Sequence, residues 1–336
     1  MSSQLHLIED RSQVGSARRA ALLLAGYLGF SPTESGKIAL AATEVATNIL
    51  KHAGTGRLAL RALERDGVAG IELLGLDRGP GIADLAASLR DGQSSTGTPG
   101  QGLGALSRLS AAFDVYTQPA RGTALRIEFW AQPVAAPRYE IGAVCVAKSG
   151  EEVSGDAWAL HLDARFVTVL VADGIGHGPE AARAARAAIR VLSEHPAASV
   201  PQLLDECHAA LTTTRGAAVG ATRIETFTGS GSFAGVGNIA ARTLNDGRQR
   251  NLVSHNGTVG HNVRRVQEFG FEFGPQSLLI MHSDGLDTHW NLEDYPGLVT
   301  RHPALIAGVL YRDHDRGRDD VTVFVLRPAD ARGARA

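Results

Sequence analysis

The sequence has little of what would mark several common protein classes. It has only two cysteines in 336 residues, Cys145 and Cys207, which argues against a disulfide framework or a cysteine metal knuckle. Lysine and arginine, 33 in all, nearly balance 35 acidic residues, so no basic excess favours nucleic acid or an anionic membrane. The longest apolar stretch, residues 20–30, is too short to span a bilayer. The first residues lack a basic start followed by an apolar core, which predicts a cytoplasmic rather than a secreted protein.

Composition and length instead predict a two-domain globular chain. Hydrophobic residues make up 44%, enough for a sizeable core, and the abundance of alanine and glycine favours helices packed through small side chains. Two prolines in the small-residue stretch 131–138 indicate a linker. We therefore predict one domain over residues 1–133 and another over residues 138–328.

Hydrophobic periodicity predicts the main elements of both domains. Helices are expected at Val14–Phe30, from near Pro32, at Leu103–Phe113, at Pro179–His195 and at Val200–Thr212. Strands in the first domain are expected at Arg57–Leu63, Gly70–Leu76, Asp114–Thr117 and Thr123–Trp130.

Four aspartate-containing turns stand out in the second domain. They are Ser154-Gly155-Asp156, Ala172-Asp173-Gly174, Ser283-Asp284-Gly285 and the stretch 317–322, which carries Asp319 and Asp320. Three of them adjoin apolar runs typical of strands. Acids at strand ends, freed by glycine to crowd together, can bind hard divalent cations through oxygen. Two such cations can activate water for phosphoester hydrolysis.

The order and spacing of these turns resemble the metal-dependent protein phosphatases of the PPM class, in their bacterial SpoIIE-type branch and its small stressosome phosphatases. Further matching segments are residues 174–182, 214–219, 235–239 and 254–258. The resemblance covers about residues 138–328. It implies an αββα sandwich and a protein serine/threonine phosphatase that uses two Mn²⁺ or Mg²⁺ ions.

The same resemblance assigns roles to individual residues. Asp156 would contact both metals, Asp173 would bridge them, and the Gly174 carbonyl would complete one site. Asp284 and Asp319 would bind the other metal, and water would attack phosphorus in line without a phosphoenzyme. Asp320 stands where many relatives have asparagine and is expected to orient its neighbour or the strand. His177 is either a general acid or a loop residue that shapes the turn.

The first domain has a separate set of polar residues. Glu44, Asn48 and His52 are spaced four apart, so they project from one face of the second predicted helix. Downstream, Asp77-Arg-Gly79-Pro-Gly81 places an acid at a strand end before a glycine turn. A glycine-rich stretch at 97–104 opens a predicted helix, where free backbone N–H groups favour phosphate.

This set resembles the Bergerat-fold ATP-binding domain of the GHKL superfamily, in the short form of anti-sigma-factor serine kinases and the stressosome switch kinase. The resemblance covers about residues 5–130 and implies an α/β sandwich that binds ATP with Mg²⁺ on Asn48. Asp77 would accept the adenine amino group with support from Thr123, and Glu44 would act as general base. The glycines expected at the nucleotide are Gly79, Gly81, Gly100, Gly102 and Gly104. His52 is expected to be a structural cap of its helix.

Three functional hypotheses follow. In the leading one, the chain is a bifunctional partner-switching regulator. Its second domain would remove phosphate from serine or threonine of a STAS-type partner, such as an anti-anti-sigma or stressosome protein, and its first domain would phosphorylate the same class of partner. In the alternative, the chain is a phosphatase whose first domain is only a nucleotide-gated partner-binding module. A scaffold with two dead sites is the third hypothesis, and the intact set of acids argues against it.

Overall fold

The computed structural model describes residues 2–89, 102–263 and 266–329. The chain forms two compact units. The N-terminal unit contains Ser3–Ala136 together with Asn291–Arg312, and the C-terminal unit contains Pro137–Trp290 with the chain from Asp313 onward. The sequence suggested one change of domain, near residues 131–138, and gave no indication that Asn291–Arg312 groups with the first half.

An antiparallel sheet forms one layer of the N-terminal unit, with five described strands in the order β1-β2-β3-β5-β4. Its strands are β1 (Gln4–Ile8), β2 (Gly56–Arg65), β3 (Val68–Asp77), β4 (Ala112–Gln118) and β5 (Gly122–Trp130). The register pairs Leu76 at the end of β3 with Ala124 of β5, and Gln118 with Gly122. The end of β3 and the turn between β4 and β5 therefore lie at the same end of the sheet.

Two long helices, α1 (Arg11–Tyr27) and α2 (Pro32–Ala53), pack on this sheet, and the shorter α3 (Leu85–Leu89) and α4 (Leu103–Leu109) follow. α1 begins after Asp10, which forms a capping box with Gln13. α2 begins after Ser31, with proline at its first position, where the missing N–H needs no partner. The buried face of α1 is an alanine stripe, so the two helices can approach closely.

Two five-stranded sheets build the C-terminal unit, in the orders β13-β10-β9-β8-β7 and β12-β11-β14-β15-β6. The strands are β6 (Tyr139–Val146), β7 (Asp156–Leu162), β8 (Phe166–Gly174), β9 (Ala217–Glu225), β10 (Ser230–Val236), β11 (Ala240–Asn245), β12 (Arg248–Leu252), β13 (Phe269–Glu272), β14 (Leu278–His282) and β15 (Val321–Pro328). Side chains such as Val169 and Phe233 from one sheet meet Met281 and Phe324 from the other in a shared core. All the pairs within these sheets are antiparallel.

Helices α5 (Pro179–Glu194) and α6 (Val200–Leu211) cover the outer face of the first of these sheets. α5 turns a row of alanines inward, which brings its backbone close to β7 and β8. The next helix in the chain, α7 (Pro303–His314), lies largely within the segment that groups with the N-terminal unit. The mixed helix-and-sheet class predicted from the sequence is confirmed.

The predicted elements need corrections in the N-terminal unit, where the short helix α3 was not predicted. The helix expected at Leu103–Phe113 ends at Leu109, and Phe113 lies in β4. Ser110 adopts an extended backbone, its hydroxyl donates to the Leu106 carbonyl, and the N–H of Ala111 already joins the sheet. Strand β1 was not predicted.

Candidate active sites

Five aspartates of the C-terminal unit come together where its strands begin and end. Asp156 opens β7 and pairs across the sheet with Asp173 near the end of β8. Asp284 follows β14, while Asp319 and Asp320 precede β15. The charges of Asp156, Asp284 and Asp319 act on Asp173, and those of Asp284 and Asp320 act on Asp156. The structure therefore gathers into one cluster the acids of all four turns identified in the sequence.

Close backbone approach explains the glycines beside these acids. A side chain at Gly174 would lie 2.1 Å from the carbonyl oxygen of Ala181, at the start of α5. A side chain at Gly285 would lie 2.1 Å from the carbonyl oxygen of Asp320. Both distances are far inside van der Waals contact, so these two positions accept only glycine. The acids can then crowd because no side chain separates their turns.

Burial and mutual repulsion make the aspartate cluster electrostatically unfavourable. Burial raises the pKa of Asp156 to about 7, and the neighbouring charges of Asp320 and Asp284 contribute to the rise. Burial likewise raises the pKa of Asp173 to about 9, with Asp156, Asp284 and Asp319 contributing. Excess negative charge of this kind favours either protons or cations. The cluster is thus a place where a divalent cation would relieve repulsion.

Two polar side chains that the sequence left without a role support the cluster. The Ser283 hydroxyl donates to Asp156 Oδ2 at 2.6 Å and accepts from the Thr322 N–H at 2.9 Å. The Asn238 amide donates to Asp284 Oδ2 at 2.6 Å and also holds down the pKa of Asp173. Asn238 lies in the segment 235–239, which had been noted only as part of a pattern. Only the fold shows that it reaches the acids.

The donor atoms of the aspartate cluster suit hard cations, although their arrangement is not that of a formed metal site. Within residues 2–89, 102–263 and 266–329, no three His, Cys, Asp or Glu side chains are already placed to hold one ion. Asp156 Oδ1 and Asp320 Oδ2 are buried without a hydrogen-bond partner. Asp320 Oδ1 accepts from the Lys148 N–H at 2.9 Å. Oxygen donors left over in a crowded acidic site fit Mn²⁺ or Mg²⁺, after rotation of the carboxylates.

The nearby histidines differ in their surroundings. His177 is exposed, and its Nδ1 lies 2.5 Å from Glu151 Oε1. His282 is buried against Trp290, and burial lowers its pKa to about 4. His255 stacks on Phe269. Packing accounts for His255 and His282, and of these three histidines only His177 combines exposure with a carboxylate partner.

In the N-terminal unit, α2 presents Glu44 and Asn48 half-buried on one face, with exposed His52 in its last turn. Burial raises the pKa of Glu44, while Lys51 and a hydrogen bond from Asn48 oppose the rise. A carboxylate with a raised pKa is a stronger base than an exposed one. The predicted spacing thus brings an acid and an amide into direct contact.

Asp77 is held at the end of β3 by two backbone groups. Its Oδ1 accepts from the N–H of Gly79 at 2.8 Å and from the N–H of Thr123 at 3.2 Å. The Thr123 hydroxyl lies 3.2 Å from that of Thr117, a residue that the sequence did not single out. Burial raises the pKa of Asp77, and these hydrogen bonds oppose the rise. Both bonds use Oδ1, so Oδ2 is left to other partners.

The predicted glycines of this region differ in what the structure shows. A side chain at Gly79 would lie 2.7 Å from Ala53, and Gly81 has a positive φ of 75°. Gly102 precedes α4 and Gly104 is buried within it. Gly100 lies outside the described residues, as do residues 97–99 and 101 of the glycine-rich stretch at 97–104.

Two family patterns match the chain. "Histidine kinase-like ATPase domain" matches residues 8–129, and "Stage II sporulation protein E (SpoIIE)" matches residues 163–329. Serine/threonine-protein kinase RsbT of Bacillus subtilis (strain 168) is 31% identical over 115 residues, which are 34% of this chain and 86% of RsbT. The first half of the chain belongs to the RsbT-type kinases, and the second half carries a SpoIIE domain. The chain is a fusion of a kinase-like domain with a SpoIIE-type phosphatase domain.

Solved structures support the fold of the phosphatase half. A structure from work on the bacterial stressosome as a modular system is 28% identical, with a TM-score of 0.54, and the match covers 57% of this chain and all of that one. RsbX in complex with magnesium is 19% identical with a TM-score of 0.51, covering 59% and 99%. The SpoIIE PP2C phosphatase domain with a regulatory fragment, from Bacillus subtilis, is 19% identical with a TM-score of 0.50, covering 95% and 98%. The PP2C-type serine/threonine phosphatase fold is therefore present.

No helix in the described parts of the fusion has the length and apolar character needed to cross a membrane.

Proposed function

We propose that this fusion both phosphorylates and dephosphorylates serine or threonine of a STAS-type partner protein, such as an anti-anti-sigma factor or a stressosome component. The observation that carries the phosphatase half is the mutual electrostatic effect of the five clustered aspartates. The kinase half is supported by the identity to RsbT and by the placement of Glu44, Asn48 and Asp77.

In the phosphatase site, Asp156, Asp173, Asp284, Asp319 and the Gly174 carbonyl would hold two Mn²⁺ or Mg²⁺ ions. The ions would supply charge neutralisation and an acidified water for attack on phosphorus. RsbX, which shares the fold, has been seen with magnesium. Ser283 fixes one carboxylate oxygen of Asp156, and Asn238 fixes one of Asp284. These bonds orient the remaining oxygens of the two acids.

His177 would handle a proton beside the phosphatase site. Its Nδ1 contacts Glu151, which leaves Nε2 as the other ring nitrogen for a leaving serine or threonine oxygen. The loop-shaping role considered from the sequence remains the alternative for this residue.

In the kinase site, Asn48 would hold Mg²⁺ of ATP, and Asp77 would accept the adenine amino group with Thr123 fixing its carboxylate. Gly79, Gly81, Gly100, Gly102 and Gly104 would give the nucleotide close access to backbone. Glu44, with its raised pKa, would take the proton from the partner's hydroxyl.

The discriminating experiment uses the full chain and a purified STAS partner. Transfer of γ-labelled phosphate from ATP tests the kinase half, and release of phosphate from the phosphorylated partner with Mn²⁺ tests the phosphatase half. Release without transfer would leave the alternative, a phosphatase with a nucleotide-gated binding module. Release that persists in chelator would exclude the metal assignment.

A further inference from the structure

The N-terminal unit includes a buried arginine that comes from far along the chain. Arg312 ends the segment Asn291–Arg312, and its side chain is only 4% exposed. A buried guanidinium must be matched by acceptors, because an unpaired buried charge is strongly destabilising. The groups that accept hydrogen bonds from Arg312 therefore indicate which part of the unit it supports.

Arg312 and Arg78 bond each other's segments. Arg312 Nη1 donates to the backbone carbonyl of Asp77 at 3.0 Å. In the opposite direction, the Arg78 guanidinium donates to the backbone carbonyl of Arg312. We call this pair the arginine latch. Because each side chain binds main chain, the latch fixes the backbone of the turn after β3.

The arginine latch contacts Asp77, the residue that is proposed to recognise adenine. The carboxylate of Asp77 is held by the N–H groups of Gly79 and Thr123, and its carbonyl is held by Arg312. That carbonyl also packs against Gly122, where a side chain would lie 2.0 Å from it. A shift of the Asp77 carbonyl would therefore move the Gly122–Thr123 pair as well.

We propose that Arg312 is a positioning residue of the nucleotide site, supplied by the second half of the chain, and that with Arg78 it sets Asp77 for recognition of adenine. The inference rests on the proposed nucleotide binding at Asp77. The positive charge of Arg312 also opposes the rise in the pKa of Asp77 that burial causes, which favours the carboxylate as an acceptor. The RsbT-like half thus completes its site with a residue beyond its own sequence match at 8–129.

The test measures binding of ADP and of GDP, each with Mg²⁺, to the full chain by calorimetry. Arg312→Ala should weaken ADP about 10-fold, as expected for loss of a charge-assisted hydrogen bond. GDP, which lacks the adenine amino group, should bind weakly and change little, so the preference for ADP falls. Arg78→Ala should act in the same direction, and Arg312→Lys should restore part of the affinity.

Arg301→Ala is the matched control, since Arg301 belongs to the same segment but pairs with Asp114, 3.2 Å away. It should leave ADP binding within about 2-fold, because part-exposed ion pairs contribute little. If Arg301→Ala and Arg312→Ala lose equal ADP affinity, or if Arg312→Ala loses equal affinity for ADP and GDP, the latch supports only the general structure and does not position Asp77 for adenine. Unchanged ADP binding in Arg312→Ala overturns the inference. If Arg312→Ala does not fold, unchanged ADP binding in both Arg78→Ala and Arg312→Lys overturns it instead. No ADP binding by the unaltered chain instead rejects the proposed nucleotide site.

Discussion

Asp173 connects strand pairing and burial with the proposed catalysis in a single residue. It sits opposite Asp156 across β7 and β8, and the fold holds Asp156 buried and Asp173 half-buried despite their repulsion. Stabilisation of the fold therefore does not explain why they are there. Their placement is understandable only if something positively charged joins them during function.

Asp173→Asn should accordingly separate activity from stability. Phosphate release should fall at least about 100-fold, since charge stabilisation by bound cations contributes several kcal/mol. In chelator, the same variant should be more stable than the unaltered chain by roughly 1–2 kcal/mol, because asparagine requires neither a buried charge nor the uptake of a proton on folding. Phosphate release, nucleotide affinity and thermal unfolding are the three measurements.

ATP binding by Asp173→Asn should be unchanged. Asp205→Asn, an exposed acid on α6, is the matched control and should change neither activity nor stability. Normal turnover by Asp173→Asn would remove Asp173 from the site.

The raised pKa values of Asp156 and Asp173 also set a pH dependence. A carboxyl whose pKa is raised on folding contributes stability below its unfolded pKa of about 3.8, and this stability is lost as pH rises towards about 7 and 9. Stability of the chain in chelator should therefore decline across this range. Cations compete with the same protons, so Mn²⁺ should bind more tightly as pH rises from 6 to 8.

Mn²⁺ titrations at several pH values, followed by proton release on binding, check this expectation. Affinity that is flat from pH 6 to 8, with no protons released, would show that these two acids do not meet the ion. Asp173→Asn provides the internal comparison, since it removes the more strongly shifted group and should flatten the profile.

At the scale of elements, periodicity and turn chemistry predicted most of the described helices, and most of the described strands of the N-terminal unit, to within a few residues. The sequence also supplied the acids, because each lies next to its own strand or turn. It did not supply Asn238, Ser283 or Thr117, whose roles depend on contacts between elements distant in the chain. Strand β1 was missed, and α4 was extended through Phe113 because apolar spacing alone did not reveal the end at Ser110.

The sequence also did not predict the unit with which most of α7 groups. Its position between Asp284 and Asp319 in the chain suggested an ordinary part of the second domain, whereas residues up to Arg312 group with the first. Nothing in a local pattern records which sheet a buried helix meets. Gly308 shows the contact, because a side chain there would lie 2.8 Å from Leu74 and 3.0 Å from Leu76 on β3.

Gly308→Leu tests whether α7 is tightly packed on β3. The added side chain has no room beside Leu74, so the free energy of unfolding should fall by about 1–3 kcal/mol, as overpacking usually costs. Gly26→Ala in α1 is the control, where no atom lies within 4 Å and a gain of about 0.5–1 kcal/mol is expected from helix propensity. Denaturant titration of the full chain gives both values. A Gly308→Leu variant as stable as the unaltered chain would contradict the close packing.

At the scale of the whole molecule, the chain runs from one acid of the phosphatase site through the segment 291–312 and back to another. Asp284 and Asp319 each lie seven residues from an end of this segment. If the arginine latch responds to nucleotide, ADP and Mn²⁺ should change each other's affinity by the same factor, as linkage requires. Calorimetric titration of each in the presence of the other measures that factor. Arg312→Ala should bring it close to one, and a coupling that survives Arg312→Ala would have to run by another route.

Joining two opposing activities in one chain has the greatest advantage if both act on the same side chain of the same partner. Tethering presents a partner released by one site to the other at high effective concentration, without any new contact. If both sites ran freely they would only consume ATP, so we expect regulation to favour one at a time, through nucleotide state or partner assembly.

With ATP and Mn²⁺ present, Glu44→Ala should show only phosphatase output and Asp173→Asn only kinase output. Both should act on an identical serine or threonine of the STAS partner, and the double variant, with neither output, is the control. Phosphosite mapping by mass spectrometry in the two single variants decides the matter. Two different sites, or two different partners, would end the shared-substrate idea while leaving each activity intact.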